Sequence, residues 1–145
     1  MTSECTEKMR VSKIVVGENR AKASFRNDER RWFWVTKVDG CLCHNETAAD
    51  FVIEKQDQGV VVVELKGKDV PHGVEQVRAT AKFWKDKNPE TKRIAGLVVA
   101  RQHPRHSTSI QRHVREFART FRGPLHVVSS KREFVFENVQ SFDGP

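Results

Sequence analysis

Two acids and a lysine stand at the open end of a short hydrophobic hairpin in this 145-residue chain: Asp50, Glu64 and Lys66. Asp50-Phe51-Val52-Ile53-Glu54 and Val60-Val61-Val62-Val63-Glu64-Leu65-Lys66 are rich in β-branched residues and read as strands. Between them, Lys55-Gln56-Asp57-Gln58-Gly59 is a polar connection ending in glycine, suited to a hairpin loop. A turn centred on Asp57 sets Glu54 opposite Val60, Val52 opposite Val62 and Asp50 opposite Glu64. Opposed residues share a face with Cβ atoms roughly 4.5–5.5 Å apart. Side-chain alternation adds Lys66 to that face. A slip of one residue would separate the acids, so the expectation is sharply testable.

Carboxylates held that close repel, and one takes up a proton unless a cation lies between them. Mg²⁺ (or Mn²⁺) suits such a pair, because it prefers oxygen ligands and is held by one or two carboxylates plus substrate phosphate. A metal there can polarise a phosphoryl oxygen and activate a water, and the lysine can steady charge on the reacting phosphorus. The alternative reading is a surface salt bridge closing the end of a core strand. The upstream acid at matching register and the run of four valines favour the site.

Asp50…Glu64-Leu65-Lys66 resembles the PD-(D/E)xK nuclease signature, found in restriction endonucleases, Holliday-junction resolvases and exonucleases. The resemblance implies an α/β fold with a restriction-endonuclease-like core, a mixed β-sheet flanked by helices. It implies Asp50 and Glu64 as metal ligands, the carbonyl of Leu65 as a further ligand and Lys66 as the catalytic lysine. Ala49 stands where the family has proline. Members of exonuclease and resolvase type carry a glutamine on the following helix, which here is Gln76, placed to orient a water or touch a phosphate. An exposed helix residue is the plainer reading of Gln76, and of His72 beside it. The resemblance also implies a DNA endonuclease leaving 5′-phosphate and 3′-hydroxyl ends, and a homodimer.

The flanking elements fit that order. Asp69 or Val70 caps a helix with Pro71 in its first turn, and Val74, Val77, Ala81 and Trp84 form its apolar stripe to about Lys85. Asn88-Pro89 ends it. Ile94–Ala100 reads as a buried strand, parallel to the Glu64 strand by a crossover. Ser107 to about Arg122 reads as a second helix, with Ile110, Val114, Phe117 and Phe121 on one face and Arg112, Arg115, Arg119 and Arg122 on another flank. Leu125–Ser129 and Phe134–Phe136 read as final strands.

The first part of the chain is less regular. Ser12–Val16, Ala21–Phe25 and Arg31–Val38 suggest an N-terminal antiparallel β-meander. Residues 1–10 and 141–145 are expected to be flexible ends of one domain spanning 1–145. Glu18 and Asp39 are the candidates for a third acidic ligand, although Asp39-Gly40 is also an ordinary turn. Cys41-Leu42-Cys43-His44 has C-x-C spacing and no second ligand pair, which disfavours structural zinc. Three cysteines make no disulfide framework, so a reducing, cytoplasmic setting is expected. Neither a membrane span nor a signal-peptide pattern is read in the sequence.

Charge points to the substrate. The formal net charge is +7, and it comes entirely from residues 73–145. Between Lys92 and Arg132 there are ten basic residues and a single acid, Glu116. A field of this kind steers polyanions, and phosphate contacts would give affinity with strong salt dependence. Arg101, His103 and Arg105 follow a core strand where open α/β sheets place ligand contacts, and with Arg112, Arg115 and Arg119 they are the expected nucleic-acid face. Three functions compete: a Mg²⁺-dependent nuclease acting on DNA, a non-catalytic nucleic-acid-binding module of the same fold, and a protein-interaction component with an acidic partner.

Overall fold

A computed structural model describes residues 4–18, 21–44, 46–66, 69–102, 107–129 and 131–145, with Lys66 described by its backbone alone. The elements, in chain order, are β1 (Thr6–Met9), β2 (Lys13–Glu18), β3 (Ala21–Arg26), β4 (Phe33–Lys37), β5 (Phe51–Lys55), β6 (Gly59–Lys66), α1 (Val70–Lys87), β7 (Ile94–Ala100), α2 (Thr108–Phe121), β8 (Leu125–Ser129), β9 (Glu133–Phe134) and α3 (Phe136–Val139). The main sheet runs β1-β4-β5-β6-β7-β8. Its β1, β4, β5 and β6 are antiparallel, whereas β6, β7 and β8 are parallel. The chain is therefore α/β with a mixed sheet.

Strands β6 and β7 are buried on both faces because their sequences, Val60–Val63 and Ile94–Ala100, have no polar alternation. Burying each such valine contributes about 1.5–3 kcal/mol. Even-numbered positions of β5 and β6 (Val52, Val60, Val62) pack beneath α1 and α2 through Val74, Val77, Ala81 and Phe117. Odd-numbered positions (Ile53, Val61, Val63) face a second layer containing Ile14, Phe25, Phe134 and Phe136. Gly96 lets that packing close: a Cβ there would meet Val77 Cγ1 at 2.6 Å and Leu125 Cδ1 at 2.7 Å. The hairpin turns as the sequence predicts, with Asp57 at φ 65°, Gly59 at φ 124°, and Lys55 paired with Gly59.

Several expectations are corrected. The N-terminal strands do not form one meander: β2 and β3 pair antiparallel, but they belong with β9 to a separate three-stranded sheet, while β4 joins the main sheet. Thr6–Met9, expected in a flexible end, pair with Phe33–Thr36 as the edge strand. Phe134 and Phe136 are both in the core, yet strand pairing ends at Phe134, Val135 stays extended as the N-cap, and a short helix begins at Phe136 instead of a longer strand. The residues around Ser141, expected to fray, pack on the fold: His126 Nε2 lies 2.9 Å from the Val139 carbonyl and 3.0 Å from that of Ser141. Cys5 and Cys41 form a disulfide that ties the start of β1 to the loop after β4, contrary to the expectation that the cysteines stay reduced. Cys43 is the buried free thiol, and burial, then Glu46 and Asp39, push its pKa up. With Cys41 bonded, zinc on this segment is not supported. No helix among the described residues is long and apolar enough to cross a membrane.

Candidate functional site

The pairing Phe51↔Val63, Val52↔Val62, Ile53↔Val61 and Glu54↔Val60 is the register read from the sequence. Continuing it by one residue sets Asp50 against Glu64. There the carboxylates bond across the hairpin. The Asp50 amide donates to Glu64 Oε1 at 3.1 Å, and the Leu65 amide donates to Asp50 Oδ2 at 2.9 Å. Each acid is thus oriented by the backbone beside the other acid. Glu64 is 3% exposed, and Asp50 is half-buried.

Helix α1 fixes the approach to Asp50. Thr80 Oγ1 accepts the Ala49 amide at 2.8 Å, and Gln76 Nε2 donates to the Ala48 carbonyl at 3.1 Å. On the other side, the Val38 amide donates to the Asp50 carbonyl at 2.9 Å, and the Asp39 amide donates to the Ala49 carbonyl at 3.2 Å. Gln76, predicted to meet water or phosphate, has its amide nitrogen on the segment that carries Asp50. Sequence reasoning missed Thr80, which lies on the buried stripe of α1 and is 2% exposed. A hydroxyl one residue before Ala81 on an apolar face was the available signal.

The topology gathers more groups at the same sheet edge. β6 ends there, β7 ends beside it with Lys66 opposite Ala100, and both α1 and α2 begin there. Asp69 caps α1 by accepting the His72 amide at 3.2 Å, and Ser107 caps α2 by accepting the Ile110 amide at 3.1 Å. Arg101 is exposed at this edge. Arg112, Arg115, Arg119 and Arg122 are exposed along α2, within an arc of about 80° at 100° per residue. Arg112 is nearest the edge, while Arg119 and Arg122 lie toward the opposite end. Glu116, the single acid of the basic segment, is bonded to Arg78 at 2.9 Å, and Arg78 also lies 2.8 Å from His113 Nδ1. His103, Arg105 and the side chain of Lys66 lie outside the described residues, although the strand position of Lys66 belongs to the Glu64 face.

Glu18 ends β2 in the second layer, and Asp39 is exposed beside Ala49. Neither joins the acid pair: no group of three potential metal ligands occurs among the described residues. Leu65 pairs with Val99 in the β6–β7 ladder. The donor chemistry still suits a hard cation. Each carboxylate has two oxygens with several lone pairs, the ligand type such a cation takes. Chain searches give no matching family model, no matching curated protein and no matching solved structure.

Proposed function

We propose that the chain is a Mg²⁺- or Mn²⁺-dependent nuclease of PD-(D/E)xK type acting on DNA. The observation that carries this reading is the mutual capping of Asp50 and Glu64 at the end of a buried hairpin. Two carboxylates brought together at the end of the hairpin offer the oxygen ligands that Mg²⁺ prefers. Asp50 and Glu64 would hold the ion, with the Leu65 carbonyl as an added ligand. The bound ion supplies Lewis acidity toward a phosphoryl oxygen and toward water. Lys66 is assigned to orient the attacking water and balance charge at phosphorus. Thr80 and Gln76 hold the Asp50 segment so that the acids keep their spacing. Arg101 and Arg112 would grip the backbone near the site, with Arg115 and Arg119 extending that contact along α2. Assembly as a homodimer, with one site for each strand, belongs to the same proposal.

The test is cleavage of linear duplex, single-stranded and branched DNA, and of RNA, with Mg²⁺ or Mn²⁺ against EDTA. The expected result is metal-dependent cutting that Asp50→Asn and Lys66→Ala abolish while DNA binding persists. Binding without cutting under every condition would transfer the reading to a non-catalytic nucleic-acid module.

A further inference from the structure

All three tryptophans of the chain collect at one end of the main sheet, away from the acid pair. Trp32 and Trp34 lie on and beside β4, and Trp84 comes from the last turns of α1. Each is half-buried, as is Phe83. A groove of about 360 Å³ opens among Trp34, Thr36, Glu54, Phe83, Trp84 and Lys87. That volume is at the low end for small-molecule sites. Glu54 stands directly opposite Trp34 in the β4–β5 register, on the same sheet face as Asp50 and four residues along β5, about 13 Å at 3.3 Å per residue.

Cations lie near Trp32, Trp34 and Phe83. Lys8 Nζ lies 4.4 Å from the Trp32 ring centre and 5.6 Å from that of Trp34. The Arg10 guanidinium is 4.6 Å from Trp32, and Lys87 Nζ is 5.9 Å from Phe83. Flat aromatic walls with flanking cations are the chemistry of single-strand binding, in which bases stack and phosphates meet the charges. A purely apolar peptide would use the rings but gain nothing from Glu54 or from the cations. Glu54 offers a carboxyl acceptor beside the Trp34 wall, matched to an exocyclic amino group. Burial also raises its pKa, as expected for an acid held in a shielded groove.

We infer that this groove is a stacking subsite for an unpaired, amino-bearing nucleobase, with Trp34 and Trp84 as stacking walls and Glu54 as the acceptor for the amino group. The inference deepens the nuclease reading: it rests on a nucleic-acid substrate and specifies one with a single-stranded portion. It does not depend on the metal.

Trp34 and Trp84, two of the three tryptophans, line the groove and make it its own reporter. Full-length protein in EDTA is titrated with oligo(dC), oligo(dT) and a blunt duplex, following tryptophan fluorescence. Saturable quenching is expected from the single strands, with the duplex weaker. Trp34→Ala and Trp84→Ala should each weaken oligo(dC) binding roughly 5- to 150-fold, the range for one lost base–aromatic stack. Glu54→Leu should weaken oligo(dC) and leave oligo(dT), which lacks the amino group, unchanged. Circular dichroism establishes that each variant is folded. No quenching by single strands, or parental affinity in folded Trp34→Ala and Glu54→Leu, overturns the inference; so does quenching by an apolar peptide alone. Glu64→Gln separates the two readings. It should bind oligo(dC) like the parent while failing to cut, whereas cutting by Glu64→Gln would remove the nuclease site and leave the groove standing.

Discussion

Replacing Glu64 by glutamine is the sharpest perturbation of the acid pair. The amide keeps an oxygen for the Asp50 N–H, now bonded at 3.1 Å, and nearly the same volume in a position only 3% exposed. Unfolding in EDTA should therefore change little. Metal linkage should change completely. A ligand that binds only the folded state, at ten times its dissociation constant, stabilises by about 1.4 kcal/mol. At about 2.1 cal/mol/K of unfolding entropy per residue, 145 residues convert this to a Tm rise of about 4–5 °C. Scanning calorimetry of parent and variant, across a Mn²⁺ series and in EDTA, reads the effect. The parent should rise with Mn²⁺ and the variant should stay flat. An equal rise in both would show that the ion binds elsewhere, and the reasoning from the carboxylate pair would fail.

Thr80→Val should cost about 1–3 kcal/mol in urea unfolding, because it leaves the buried Ala49 amide without its acceptor, and cleavage should fall with it; Thr80→Ser should restore both. The Cys5–Cys41 bridge closes 36 residues, so Cys41→Ser should lower stability by about 3–4 kcal/mol in the chain-entropy account, with an unfolding midpoint unmoved by reductant refuting it. His126 has its pKa lowered by burial, against two backbone carbonyls that favour protonation. Its folded pKa lies below the ordinary 6.5, so the unfolded chain binds the proton first. Stability should hold above pH 6.5 and decline as pH falls toward the folded pKa, and His126→Gln should flatten that part of the urea-midpoint profile.

What the sequence made legible was local. The hairpin register followed from Asp57, Gly59 and the valine run, since alternation and turn chemistry act over a few residues. The helices were bounded by Asp69, Asn88, Ser107 and Arg122, the caps found in the structure. The unread parts depend on distant partners. Nothing in Thr6–Met9 says that it will pair with a strand beginning at Phe33. Alternation in Phe134-Val135-Phe136 fits a strand as well as a turn entering a helix, and only the packing of both rings with Phe25 decides. Three cysteines permit one bridge or none, and spatial proximity selected Cys5 with Cys41. At the candidate site, the acids were legible from spacing, but their mutual backbone capping and the anchoring of Ala49 by Thr80 were not.

That anchoring divides responsibilities between the two helices. Helix α1 grips the peptide that presents Asp50, whereas α2 displays arginines and meets the sheet mainly through Phe117 and its partly buried neighbours. Sequence drift on the outer flank of α2 can therefore remodel what the protein touches without moving the carboxyl pair. Under the proposed nuclease reading, a designer seeking altered substrate affinity would recode α2 and leave the inward turns of α1 alone.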